Sequence, residues 1–167
     1  MERPKTASSD SLRLSDWLPY RLFIIAARIA RPLETFYGER FGLSQAAWRI
    51  LAIIAERTGA SASEIAQACA LDPFAVSRGI GQLVERGFAR RSTAKADRRF
   101  AAVSITARGR AAFDEIAALG RVIEADLLAS LSNAEHEILD GLLRNLEGES
   151  SRIESAGWRS LLERAVR

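Results

Sequence analysis

Residues 72–110, DPFAVSRGIGQLVERGFARRSTAKADRRFAAVSITARGR, decide how this chain is read. Asp72 followed by Pro73 is a helix start: a carboxylate that can accept the first free amides, then a residue whose fixed φ suits the first turn. From there Val76, Ile80, Leu83 and Val84 fall on one helical face up to about Arg86, and Gly87 ends the helix. Residues 88–93 and 99–105 read as two strands. In the second, Ala101, Val103 and Ile105 alternate with Phe100, Ala102 and Ser104, the period of a half-buried strand. Thr93 to Asp97 form the solvated hairpin loop between them. Within 78–110 stand nine basic side chains, Arg78, Arg86, Arg90, Arg91, Lys95, Arg98, Arg99, Arg108 and Arg110, opposed only by Glu85 and Asp97, about +7. The rest of the chain holds 15 basic and 19 acidic residues, so the formal net charge of +3 over 167 residues hides a strong polarity. Positive charge gathered on one compact element suits an anionic surface.

Outward from this stretch the chain reads as helices. Upstream, Ser61-Ala-Ser-Glu64 fits a capping box for a short helix ending near Ala70. Ser44 is an N-cap for a helix to about Arg57 that faces Trp48, Leu51 and Ile54/Ala55 inward and stops at Gly59. A first helix should start near Ser15 or Asp16 with Pro19 in its first turn, and carry a stripe of Leu18, Leu22, Ile25, Ile29 and Leu33. Pro32 inside that stripe predicts a kink or break, and Gly38 and Gly42 an irregular connection. Downstream, Thr106 caps a long helix bearing Phe113, Ile116, Leu119/Gly120, Ile123 and Leu127. Ser132-Asn-Ala-Glu135 is a further capping box for a helix with Ile138, Leu142 and Leu146, expected to fade after Gly148. Trp158 to Val166 adds a last short helix, and the polar residues 1–12 read as a disordered arm. The expected fold is mainly α with a small β-wing. Three short helices and a two-stranded hairpin, about 44–105, make a winged helix-turn-helix between two long apolar-striped helical segments.

Several functions lack the residues they need. One cysteine, Cys69, allows no intrachain disulfide, which fits a reducing cytosol and a cytoplasmic protein. Cys69 reads as a small buried apolar residue and the lone His136 as exposed, so no metal site and no cofactor are expected. No Gly-rich phosphate loop or nucleophile–base set points to an enzyme, and no apolar run reaches the length of a membrane span.

In a helix-turn-helix the second helix enters the major groove. Here its outward face carries Phe74, Ala75, Ser77, Arg78, Gly81 and Gln82. Ser77 and Gln82 can bond base edges or phosphates, and Arg78 can fork onto guanine O6 and N7. Gly79 and Gly81 would let the helix approach the groove closely. On the wing, Asp97 can hold the guanidinium of Arg99 by a charge-assisted pair and aim it at a narrow minor groove. Arg90, Arg91, Lys95 and Arg98 would flank it on phosphates.

From about Ser44 to Phe113 the chain resembles the MarR family of bacterial winged-helix transcriptional regulators. The matching residues are Leu43-Ser44 and Trp48-Arg49-Ile50-Leu51, then Ser63-Glu64-Ile65-Ala66, Val76-Ser77-Arg78 and Leu83-Val84-Glu85-Arg86-Gly87-Phe88. The wing Asp97-Arg98-Arg99 follows, with Ser104-Ile105-Thr106 and Gly109 at the usual interval. Phe74 departs from the pattern, standing where a polar residue is commoner. The resemblance implies a homodimer on a pseudo-palindromic double-stranded DNA operator. Residues 13–43 would form an N-terminal dimerisation helix, 44–110 the DNA-binding domain and 111–167 the C-terminal dimerisation helices. It also implies a repressor released by a small molecule, an aromatic acid or its acyl-CoA thioester. Trp17 and Tyr20 could stack its ring and Arg21 or Arg28 pair its anionic group. Trp48 is a core residue first and a wall of that pocket second. The alternative is a winged-helix DNA-binding or architectural protein with no effector.

Overall fold

The computed structural model describes residues 12–92 and 102–166. In chain order the elements are α1 (Leu18–Phe41), α2 (Gln45–Glu56), α3 (Ala62–Cys69), α4 (Pro73–Glu85), β1 (Ala89–Ser92), β2 (Ala102–Ile105), α5 (Ala107–Leu128) and α6 (Asn133–Ala165). They fall into two compact units that meet at Arg121/Val122. Residue 110 lies inside α5. The mainly helical fold with a small antiparallel wing is as the sequence indicates.

Local chemistry sets most helix starts in the first unit. The Ser44 hydroxyl accepts from the amide of Ala47 at 3.2 Å. Ser61 and Glu64 form the full capping box. Asp72 accepts from the amides of Phe74 and Ala75, both at 2.9 Å. These bonds, that of Ala75 foremost, hold its carboxyl below the usual range. Each cap satisfies amides that the helix itself leaves orphaned. The α3–α4 turn passes through Ala70 at φ 47°, the one left-handed non-glycine position among the described residues.

The core lies where α2 crosses α4. Ile50, Leu51 and Ile54 of α2 are fully buried, together with Ile65 of α3, Val76, Ile80 and Leu83 of α4, Val103 of β2 and Ile116 of α5. Each contributes about 1.5–3 kcal/mol by leaving water. β1 and β2 pair antiparallel, with Ala89 opposite Ile105 and Ser92 opposite Ala102. Val103 also donates its amide to the Ala60 carbonyl at 2.9 Å, so the segment before α3 joins the sheet as a one-residue bridge. Trp48 is sandwiched between Tyr37 and Phe113, each ring centroid 5.8 Å away and nearly parallel. This stack ties α1, α2 and α5 together, and burial pushes the Tyr37 phenol up to about 12.

Several expectations are corrected. α1 starts at Leu18 rather than near Ser15, and runs through Pro32 without ending. Pro32 is exposed, so the carbonyl it deprives of a partner can turn to water. Gly38 lies within α1. Gly42, at φ 61°, ends it, with Leu43 donating back to the Tyr37 carbonyl at 3.2 Å in a Schellman-type cap. Val84 is 39% exposed instead of buried. Gly79 faces the core, where a Cβ would stand 2.5 Å from Ile50 Cδ1, so its smallness serves helix packing and not the groove.

In the second unit α6 starts on the expected Ser132–Glu135 capping box. Beyond Gly148, where the sequence expects it to fade, the helical geometry breaks at Gly157 (φ 69°, ψ 158°), leaving the short last helix that the sequence suggested. No residue of α6 is buried. His136 is half-buried rather than exposed, and its Nε2 donates to the Leu128 carbonyl at 3.1 Å across the α5–α6 turn. Among the described residues, no helix is long and apolar enough to cross a membrane.

Candidate nucleic-acid interface

The exposed face of α4 and the first strand of the wing form the candidate site. α4 is fixed at its start by Asp72 and along its inner face by Val76, Gly79, Ile80 and Leu83. That packing leaves Phe74, Ser77 and Arg78 in solvent, Phe74 at 78%. On β1 only Ala89 is buried, and Arg90, Arg91 and Ser92 point outward. The strand base is held from behind. The Thr106 hydroxyl donates to the Gly87 carbonyl at 2.7 Å and accepts from the Gly109 amide at 3.0 Å, while its own amide donates to the Phe88 carbonyl at 3.0 Å. One threonine thus caps α5 and anchors the end of the α4–β1 turn.

Two concave regions flank α4. One, of about 450 Å³, has a mainly apolar wall that includes Ala66, Val76, Ile80 and Val103, with Ser77 and Arg91 also lining it. The other, about 630 Å³, runs along the opposite side past Ser44, Ala46, Arg78, Gly81 and Glu85. A Cβ at Gly81 would meet nothing within 4 Å, so this flank is open.

The basic stretch divides by use. Arg78, Arg90 and Arg91 form no salt bridge among the described residues and face water. Arg110 is turned back into the fold, donating to the Ala55 carbonyl and lying over the Phe113 ring. The guanidinium of Arg108 sits over the Phe88 ring at 5.2 Å, and that of Arg86 lies against Gly42. Lys95, Asp97, Arg98 and Arg99 lie outside the described residues. The charge anomaly in the sequence is therefore partly structural: guanidinium groups also serve as long, carbonyl-bonding packing pieces.

Gln82 differs from the sequence reading. Both ends of its carboxamide are engaged inside the molecule: Nε2 donates to the Gly42 carbonyl at 3.0 Å, and Oε1 accepts from the Ser44 amide at 3.1 Å and the Ser44 hydroxyl at 2.8 Å. No local pattern could have revealed this, because the partners lie about 40 residues upstream.

Four of the residues expected at an effector pocket lie at one end of α1, apart from the stacked Trp48. Trp17, the residue before α1, and Tyr20, Arg21 and Arg28 on its N-terminal half are all exposed, whereas both faces of Trp48 are taken by its stack. Cys69 is buried at the end of α3. Burial pushes its thiol up, with Arg49 pulling the other way, so the reactive thiolate is disfavoured.

A family model described as "MarR family" matches residues 41–99. An uncharacterized HTH-type transcriptional regulator of Bacillus subtilis (strain 168), YwaE, is 30% identical over 125 residues, covering 75% of this chain and 73% of that protein. Among solved structures, a MarR/EmrR family transcriptional regulator from Acinetobacter sp. ADP1 superposes with a TM-score of 0.75 at 22% identity, over 85% of this chain and 100% of that one. CouR from Rhodococcus jostii RHA1, bound to p-coumaroyl-CoA, does so at 0.69 and 20% identity, over 81% and 95%. At these identities the two superpositions show the fold.

Proposed function

The chain belongs to the MarR family of DNA-binding transcriptional regulators, and from that premise we propose that it represses transcription as a homodimer on a pseudo-palindromic operator. The observation that carries this reading is the rigid seating of Ser77 and Arg78 beside the exposed Arg90 and Arg91. A helix held by its cap and core can present a fixed donor set to a major groove, where Arg78 would read a guanine and Ser77 a base edge or phosphate. Phe74 would offer apolar contact to a thymine methyl. Arg90 and Arg91 would fix register on phosphates, and the wing residues Lys95, Asp97, Arg98 and Arg99 would continue that contact around the duplex.

The homodimer is supported by apolar faces that a single chain leaves in water. On α1 these are Leu18, Leu22, Phe23 and Ile25, and on α6 Ile138, Leu142, Leu146 and Ile153. A second copy would bury such stripes. Two half-sites must then be met at once, so the spacing of the two reading helices controls affinity.

Release by an aromatic acid or its acyl-CoA thioester is the regulatory part of the proposal. It is supported by the exposed Trp17, Tyr20, Arg21 and Arg28 on α1, which offer rings and guanidinium groups to such a ligand, and by the p-coumaroyl-CoA bound to the similarly folded CouR. A ligand that fits only one arrangement of the dimer draws the population away from the DNA-competent one. The protein would act in the cytoplasm, on the nucleoid.

The test is an operator selected from a random duplex pool, then titrated with aromatic acids and their CoA thioesters. Two protomers per duplex are expected. One ligand class should also weaken binding by about tenfold or more while raising the thermal midpoint of the free protein, as differential affinity requires. Arg28→Ala should blunt both effects. One protomer per duplex would overturn the dimer. If no compound shifts the midpoint and Arg28→Ala is silent, the effector proposal falls and effector-independent binding stands.

A further inference from the structure

We propose that Gln82 is a positioning residue of the reading helix: it latches α4 to the α1–α2 junction, so the end of α1 sets where α4 meets DNA. The inference rests on α4 being the reading helix.

Gln82 stands one turn after Arg78 on α4, where a free glutamine could pair with adenine in a groove. Its amide is already spent. The Gly42 carbonyl that accepts from its Nε2 belongs to the C-cap residue of α1, and the Ser44 amide that donates to its Oε1 belongs to the N-cap residue of α2. Helix ends leave such backbone groups without intrahelical partners, and here one side chain satisfies a carbonyl and an amide on either side of the bend. The Ser44 hydroxyl, which bonds Gln82 at 2.8 Å, is the same group that caps α2. A bidentate pair with adenine needs both Oε1 and Nε2 and would compete with these bonds.

The next turn repeats the grip. The Arg86 guanidinium packs so closely on Gly42 that a Cβ there would lie 2.6 Å from one of its nitrogens. Phe88, just after α4, meets Phe41, the last residue of α1, edge to face at 6.1 Å. Residues 41–44 are therefore clasped by Gln82, Arg86 and Phe88. The N-terminal half of α1, by contrast, leaves Leu18, Leu22, Phe23 and Ile25 exposed. Through this packed, hydrogen-bonded junction a displacement of the end of α1 would be passed to α4.

Gln82→Met keeps the length of the side chain and removes the three bonds. Its affinity is measured against the parent operator and a set of duplexes with single base-pair changes, beside Arg78→Ala and a thermal melt. The expected result is a loss of about tenfold on every duplex, with the ratios between duplexes preserved and the protein folded at the assay temperature. Unchanged affinity with a lowered melting temperature would mean a merely structural role. Relaxed preference at one base pair would mean that Gln82 reads DNA. Either result overturns the proposal. If Gln82→Met does not fold, Ser44→Ala removes the 2.8 Å bond together with the hydroxyl's cap on α2 but leaves the two bonds of Gln82 to backbone, and should give a smaller loss, again uniform across duplexes. Arg78→Ala separates the two levels. If it relaxes one base position while Gln82→Met binds normally, only the latch is wrong; if it too changes nothing, the reading-helix assignment has failed.

Discussion

Gly109→Ala is expected to lower the stability of the first unit by about 3 kcal/mol, the upper range for forcing extra volume into a packed site. Gly109 is buried in the first turn of α5, where a Cβ would overlap the carbonyl oxygen of Phe88 and come within 2.9 Å of Ile105 Cγ1. The Phe88 carbonyl accepts the Thr106 amide and cannot move without loosening the join between the wing and α5. The clash is therefore with bonded backbone, not with the free end of a side chain. Thermal or urea unfolding checks it, and for a chain of this size the midpoint should fall by about 10 °C. Gly120, also in α5, is the control: a Cβ there meets nothing within 4 Å, so Gly120→Ala should hold or raise stability by up to about 1 kcal/mol through helix propensity. Equal melting of Gly109→Ala and the parent would show that α5 is not seated on the wing base as described.

The second large effect concerns the wing. Arg99→Ala is expected to weaken operator binding by about two orders of magnitude, and Asp97→Ala by about one, in gel shifts or fluorescence anisotropy. The sign of the Asp97 effect is diagnostic. Removing a carboxylate makes the wing more positive, which by itself tightens binding to phosphates. A loss on Asp97→Ala therefore requires that the carboxylate braces a guanidinium the DNA needs. If Asp97→Ala binds more tightly, the bracing idea is wrong. If both variants bind as the parent does, the wing does not contact the operator as proposed.

Local chemistry was legible in the sequence and tertiary partnership was not. The caps at Ser44, Ser61/Glu64, Asp72, Thr106 and Ser132/Glu135 are all read correctly, because a cap depends on residues within one turn. The wing strands and the reading helix follow from alternation and helical period in the same way. Pro32 does not end α1, since it is exposed and water can serve the carbonyl it orphans. Period alone puts Val84 inside, and the smallness of Gly79 reads as closeness to the groove, since neither a solvent edge nor a packed Ile50 is written in α4 itself. The bonds of Gln82 are invisible locally for the same reason: they reach back to Gly42 and Ser44. In α6 the helix tolerates Gly141 and Gly148 and breaks only at Gly157, because a glycine weakens a helix by about 1 kcal/mol without dictating where it ends.

The central claim is that α4 and the wing meet the phosphates and bases of duplex DNA, and the salt dependence of operator binding tests it most directly. The logarithm of the binding constant should fall steeply and linearly with the logarithm of salt concentration, at about −0.9 per phosphate neutralised. Arg90→Ala and Arg91→Ala should each flatten that slope by about 1 while leaving the preference among operator variants intact. A shallow slope that neither substitution changes would contradict the account.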